Sequence, residues 1–374
     1  MSKKRKVLIS ILLSISIVTL CILCTCFGIV ISRINKLNNS DFSSLTQCAN
    51  KTILFIGDGM GENHVQATST YYEKEMFMTT FEAKGYVSTF SNSIFRPTDS
   101  AAAASSLATG QKFDNKEISC HNGKDIETIS EYAKSIGIGV GIVTTDNLNG
   151  ATPAGFSSHA NSRDDSEEII QGQIESNIDL FLGKGQNIYE PYKHSFENKG
   201  YSYSNDLSTL STNNSKVFGC FSQVVSKEGT NLTPTLEMLT EFAVNFFEEN
   251  FPDGYFLMIE CAHIDKCSHS NNIFEMMEYL NNFDASIKTT HEKLSEQNGV
   301  ALIVTADHET GGLKNAKSTA NITNSLYSQS GHTSQDVPYY IYINPSKKVD
   351  IKQVIKNKID NTDIFKLCKN LITK

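Results

Sequence analysis

Histidine and carboxylate stand together twice in this chain at spacings that allow a shared ion. In "ALIVTADHETGG", Asp307 and His308 are adjacent just past an apolar run. Along a strand their side chains would point to opposite faces, so both reach one cation only where the chain turns. Gly311 and Gly312 make such a turn available; without a metal, Asp307 reads as a cap for a following helix. In "FLMIECAHIDKCSHSNN", Asp265 and His269 share one helical face, within reach of a single cation. Glu260, at the preceding strand end, is placed to serve a different ion, and His263 reads as structural. "SGHTSQDVPYYIYI" puts His332 in a loop that enters another apolar strand, and "NGATPAGFSSHANSR" carries Thr152, His159 and Arg163. Imidazole with carboxylate suits zinc, and carboxylate with hydroxyl suits magnesium. The planar, permanently charged fork of Arg163 suits a phosphate.

Ser100 joins this set from "PTDSAAAASSLATG". Two readings fit it. Asp99 or Ser100 caps a helix whose first turn is alanine, the best helix former. Alternatively Ser100 is a nucleophile at a helix N-terminus, where amide N–H groups and the dipole favour an anion. A nucleophilic serine needs activation, and metal coordination supplies it without a general base.

The elements that must position these residues follow from the apolar runs. "KTILFIGDGMG" (51–61) reads as a buried strand delivering Asp58 into a tight turn. "GIGVGIVTTD" (137–146), "GYFLMIE" (254–260) and "GVALIVTADH" (299–308) are further strands, each ending in a carboxylate or histidine. Between them, "TPTLEMLTEFAVNFFEEN" (233–250) predicts a helix capped by Thr233 with Pro234 in its first turn. Leu236, Leu239, Ala243, Phe246 and Phe247 line one face of it. Strand and helix alternation predicts an α/β fold: a mostly parallel central sheet with helices on both faces. Ligands of such sheets sit beyond the carboxyl ends of the strands. Residues 164–232 read as a less regular peripheral excursion.

The chain has 374 residues and a formal net charge of -8, which argues against a nucleic-acid partner. "SKKRK" (2–6) precedes residues 7–32, which carry no charge and are long enough to span a bilayer. The basic residues before that run keep the N-terminus cytoplasmic. The expected organisation is a basic tail (1–6), a transmembrane signal anchor (7–32), a polar linker (33–50) and a catalytic domain (51–374). The bulk of the chain would then be extracellular or periplasmic, as a single-pass type II membrane protein; a cleaved signal peptide is the competing reading. Cys48, Cys120, Cys220, Cys261, Cys267 and Cys368 lie outside the apolar run and show no zinc-knuckle spacing.

In order and wording, "ILFIGDGMG", "PTDSAAAASSLATG", "ATPAGFSSHANSR", "DLFLGKGQ", "FLMIECAHIDKCSH", "TADHETGG" and "GHTSQDVPYYIY" resemble the alkaline phosphatase family. The resemblance covers residues 51 to 343 and implies a phosphomonoesterase with two zinc ions and one magnesium. It implies Asp265, His269 and His332 as ligands of the first zinc. Asp58, Asp307 and His308 would hold the second, together with the oxygen of Ser100. Asp58 would bridge towards magnesium, which Thr152 and Glu260 would also bind. Ser100 would form a phosphoserine, Arg163 would grip phosphate oxygens, and Lys266 matches a lysine near the phosphate in many bacterial members. Relatives are commonly homodimers.

This chain departs from the family in places. Gly150 stands where many bacterial relatives have an aspartate that helps to fix magnesium through water, which bears on magnesium affinity. "GKGQ" replaces a triple glycine, and the catalytic region is short. Phosphodiesterases and sulfatases of the same superfamily are the nearest rivals. Diesterases usually have a threonine nucleophile and lack the arginine, and "SAAAA" disfavours sulfatase chemistry. A non-catalytic surface binding protein would be expected to have gaps among the ligand positions, and none occurs.

Overall fold

The computed structural model describes residues 40–373 without interruption, together with residues 15–21, 24, 25 and 28. The chain divides into two compact units, residues 1–39 and 40–374. In the first, residues 15–21 are helical, and most of the expected anchor (7–32) lies outside the described residues. Among the described residues no helix is long and apolar enough to cross a membrane.

The second unit is built on a ten-stranded sheet. Its strands are β1 (Lys51–Gly57), β2 (Ala83–Ser88), β3 (Gly139–Asn147), β4 (Leu180–Lys184) and β5 (Ser202–Ser204). They continue with β6 (Val217–Phe221), β7 (Tyr255–Cys261), β8 (Val300–Thr305), β9 (Val337–Asn344) and β10 (Lys358–Asp360). The spatial order is β10-β2-β9-β8-β1-β7-β3-β4-β6-β5. Only β9 runs antiparallel to its neighbours. β1, β7 and β8 are buried along their whole length, because a central parallel strand covered on both faces can only be apolar.

The main helices are α1 (Glu62–Tyr71), α2 (Ser100–Thr109), α3 (Ala151–Ser157), α4 (Leu236–Asn250), α5 (His263–His269), α6 (Ile273–Leu294) and α7 (Asn361–Ile372). They form two groups: α2, α3 and α7 pack together, and α6 packs with α1, α4 and α5. Both groups reach the sheet, with α3 and α4 each lying on β3 and β7. The α/β architecture read from the strand–helix alternation is therefore present.

Four expectations change. Residues 180–184, 202–204 and 217–221 are strands at one edge of the sheet, so the region 164–232 extends the core. The α4 helix is capped two residues later than the expected Thr233. Thr235 is its N-cap, accepting a hydrogen bond from the Met238 N–H at 3.2 Å. The Pro234 carbonyl is taken by Val225 N–H at 2.9 Å, which holds this stretch extended. The part of the linker from residue 40 onward is packed, not loose: Phe42, Leu45, Cys48 and Ala49 are buried, and Ser40 Oγ donates to Asp363 Oδ2 at 2.8 Å. Finally, the alanines of α2, read from the sequence as helix formers, also give close approach to α3 and α7. A Cβ at Gly155 of α3 would lie 3.2 Å from the Ala104 Cβ. The six cysteines outside the N-terminal run are free and buried.

Candidate functional site

Four neighbouring parallel strands, in the order β8-β1-β7-β3, end at one edge of the sheet. Asp307 follows β8, Asp58 follows β1, Glu260 lies near the end of β7 and Asp146 near the end of β3. β9 is antiparallel, so its starting end faces the same edge, and His332 arrives there from the loop before it. The turn expected after Asp307 is present: Glu309 and Thr310 pair antiparallel with Thr333 and His332, and Gly311 and Gly312 have positive φ. That pairing ties the two histidine-bearing loops together.

Ser100 is the first residue of α2, and Asp99 is the cap: its Oδ1 accepts from Ala102 N–H at 3.0 Å. Ser100 is buried, and its Oγ lies 3.2 Å from His308 Nε2. That nitrogen also lies 3.2 Å from Asp307 Oδ2 and 3.6 Å from Asp58 Oδ1. Two backbone N–H groups, of Gly59 at 3.1 Å and His308 at 2.8 Å, hold Asp307 Oδ1 and thereby aim Oδ2 into the cluster.

A second cluster adjoins the first. His269 Nε2 lies 3.3 Å from Asp265 Oδ2, His332 Nε2 lies 3.6 Å from Asp265 Oδ1, and the two Nε2 atoms are 3.1 Å apart. His332 Nδ1 is 2.8 Å from the Thr98 carbonyl, and His269 Nδ1 faces the Ser330 carbonyl. A ring that donates through Nδ1 to a carbonyl presents a lone pair at Nε2, the tautomer a metal requires. Asp265, His269 and His332 offer ligand atoms within 4.8 Å of one another, and so do Asp58, Asp265 and His308.

Glu260 lies one strand away, level with Thr144, whose hydroxyl donates to Glu260 Oε2. Thr152 sits beside Glu260, and its buried Oγ1 makes no hydrogen bond of ordinary geometry. Asp58 Oδ1 and Asp307 Oδ2 are likewise buried and without a hydrogen bond. Buried polar oxygens are normally satisfied. Three orphaned oxygens, in the midst of carboxylates and imidazoles, are the pattern of a site that binds hard or borderline cations.

The charges agree. Burial pushes the Glu260 carboxyl up to about 8, helped by the Asp146 charge, and burial with the Asp265 charge pushes Asp307 up to about 7. Burial and the charges of Asp307 and Asp265 raise Asp58 as well. Burial also holds His308 well below the usual imidazole range, leaving it neutral. Asp265 is the exception: burial works against it, but its contact with His269 and the nearness of the His308 and His332 imidazoles hold it low. So many buried carboxylates in contact are stable as anions only opposite positive charge.

Arg163 approaches from the side of α2, its Nη1 3.4 Å from Asp99 Oδ2. Lys266 Nζ pairs with Asp146 Oδ1. The structure thus brings together Asp58, Ser100, Thr152, Glu260, Asp265, His269, Asp307, His308 and His332, with Arg163 and Lys266 tied down at its rim. His159 does not join them: it lies between the Ser119 carbonyl and Glu131, at 2.8 Å and 2.9 Å. His263 is structural as expected, stacked on Tyr279 and facing Thr145 Oγ1. Sequence reasoning missed the second task of Asp99, which orients Arg163, and it missed Thr310, whose hydroxyl donates to Asp265 Oδ1 at 2.5 Å. Neither pairing has a sequence signal, because the partners are distant along the chain.

The fold is that of solved alkaline phosphatases. The enzyme from the Antarctic bacterium TAB5 superposes with a TM-score of 0.75 at 25% identity, covering 87% of this chain and 98% of that one. The cold-active enzyme from Shewanella sp. gives 0.76 at 25% identity, covering 87% and 100%. The alkaline phosphatase family model matches residues 49–366, and the chain belongs to that family. Alkaline phosphatase 4 of Bacillus subtilis is 30% identical over 283 residues, which are 70% of this chain and 61% of that protein. Alkaline phosphatase 3 of the same organism is 29% identical over 332 residues, 82% of this chain and 71% of that protein. The chain therefore spans less than two thirds of the first of these relatives.

Proposed function

We propose that this chain hydrolyses phosphate monoesters to an alcohol and inorganic phosphate through a phosphoserine at Ser100. The observation that carries the reading is the setting of Ser100. Its hydroxyl is buried at the start of a ten-residue helix, 3.2 Å from His308 Nε2, within a group of carboxylates and imidazoles. The orphaned oxygens of Asp58, Asp307 and Thr152 fit the metals expected of the family. Asp265, His269 and His332 would hold one zinc, Asp58, Asp307 and His308 a second, and Asp58, Thr152 and Glu260 magnesium. A variant of the TAB5 enzyme is described with Mg bound in its M3 site, which supports a third position. Bound there, the cations supply positive charge opposite the phosphate and leaving oxygens and depress the pKa of a coordinated hydroxyl.

The residues do the rest. Arg163, held by Asp99, presents two parallel N–H donors to phosphate oxygens, and the α2 N-terminus adds its dipole. This orientation sets the phosphorus in line with Ser100 Oγ. Ser100 gives its hydroxyl proton to solvent, and Oγ forms the new P–O bond while the substrate's ester P–O bond breaks and the departing alkoxide takes a proton from water. Water then hydrolyses the phosphoserine and restores the Ser100 hydroxyl. Lys266 stands at the same rim as a further cation.

The expected membrane attachment through residues 7–32, with catalysis on the non-cytoplasmic side, rests on the uncharged run and the basic residues before it. Homodimer formation rests on the family likeness alone. Hydrolysis of p-nitrophenyl phosphate against bis-p-nitrophenyl phosphate, by the full chain with zinc and magnesium at alkaline pH, tests the reaction class. Preference for the monoester supports the reading, and preference for the diester overturns it.

A further inference from the structure

β3 is irregular where it approaches the site: its register against β4 shifts between Val143 and Asn147. Bulges of this kind can re-aim side chains, and Asp146 lies within this stretch. Its carboxylate is fixed. Asn147 N–H donates to Oδ1 at 2.7 Å, Lys266 Nζ donates to the same oxygen, and the Asp146 N–H donates to Thr144 Oγ1 at 2.8 Å. Thr144 in turn donates to Glu260, so one hydroxyl links Asp146 to the carboxylate beside Thr152. Asp146 Oδ2 faces Gly150, the N-cap of α3. A Cβ at position 150 would lie 2.8 Å from Oδ2, 2.9 Å from the Asn147 carbonyl oxygen and 3.2 Å from the Asp146 carboxyl carbon. Gly150 has φ -60°, so its backbone conformation does not call for glycine. The Asp146 carboxylate and the Asn147 carbonyl together leave no room for a side chain there.

The geometry points to Asp146 as a positioning residue with two tasks: Oδ1 holds Lys266 at the phosphate side, and Oδ2 orders water on the magnesium of the Glu260–Thr152 group. This inference rests on the proposed magnesium position. Side chains just outside a metal's ligands commonly change affinity 10- to 100-fold. A side chain at position 150 would press on the Asp146 carboxylate and on the Asn147 carbonyl alike.

The test uses the full-length, zinc-loaded protein, with calorimetric magnesium titration and inhibition by inorganic phosphate as readouts. Asp146→Asn should weaken magnesium binding about 10-fold and weaken phosphate inhibition several-fold. Zinc content and circular dichroism equal to the parent identify a folded variant; Asp146 is partly exposed (18%), so folding is expected to survive. Parent-level magnesium affinity in Asp146→Asn overturns the magnesium task, and parent-level phosphate inhibition overturns the Lys266 task. Thr152→Val separates this from the reading beneath it. If Thr152→Val loses magnesium while Asp146→Asn keeps it, only the inference fails. If the parent and Thr152→Val titrate alike, the magnesium position itself is wrong.

Discussion

Ser100 is both a helix starter and the proposed nucleophile, and Asp99 supports both the helix and the phosphate-binding arginine. Asp99 caps α2 and accepts from Arg163, so a single carboxylate sets the helix and the phosphate fork. Asp99→Ala should lose the cap, about 0.5–2 kcal/mol in urea denaturation, and weaken phosphate inhibition because Arg163 is released. A variant with weakened stability but parent-level phosphate affinity would contradict the second role. Away from the site, His159 and Glu131 form a pair whose pH dependence has a defined sign. Burial opposes charge on His159, but its hydrogen bond to Glu131 raises its pKa above 6.5; burial likewise opposes charge on Glu131, but hydrogen bonds from His159 and Thr128 lower its pKa below 4.5. The His159 contribution is full below pH 6.5 and lost as pH rises through its raised folded value. The Glu131 contribution is full above pH 4.5 and lost on acidification. Solvent screening limits the pair to about 0.5 kcal/mol. His159→Gln should therefore destabilise more at pH 5.5 than at pH 8.5, and equal effects at both would contradict it. The ligand residues were legible because their spacing is local. Asp265 and His269 share a helical turn, and Asp307 and His308 precede two glycines. Asp99 to Arg163 and Thr310 to Asp265 were not, since such pairings exist only once the sheet has assembled.

At the scale of elements, the apolar runs ending in Asp58, Glu260 and Asp307 were readable as strands, because a covered parallel strand has no polar face to disguise it. β4, β5 and β6 escaped: each has five residues or fewer, and Gly183 and Gly219 interrupt β4 and β6. The start of α4 was misplaced because Pro at a helix N1 position is a strong local signal, overridden here by the bond between Val225 and Pro234. The packing of α2 on α3 gives the element-scale prediction. A Cβ at Gly155 would meet Ala104 Cβ and the Ser105 nitrogen, both at 3.2 Å. Gly155→Val should overpack this contact and cost about 1–3 kcal/mol in denaturant unfolding. The same substitution should also reduce turnover, since α2 carries Ser100 at its far end. Unchanged stability would show that α2 is free to shift.

For the whole molecule, the sheet edge concentrates buried carboxylates that only cations make compatible with one another. Removing metals should lower the melting temperature measurably. Each site saturated at 100 times its dissociation constant adds about 2.7 kcal/mol, worth several degrees in a chain of this size. Chelation followed by scanning calorimetry measures it, and an unchanged melting temperature would contradict the cation assignment. The general architecture and the acidic edge were legible in the order of strands and motifs, whereas the internal support of the site was not.

The central claim is a covalent phosphoryl group on Ser100. The full chain, loaded with zinc and magnesium, is mixed with a phosphate monoester, quenched in acid during turnover and digested for mass spectrometry. A phosphoryl group is expected on Ser100 and not in Ser100→Ala, with the variant's turnover reduced by about 10³-fold or more. Steady turnover with Ser100 unmodified, or a Ser100→Ala variant as active as the parent, would contradict it.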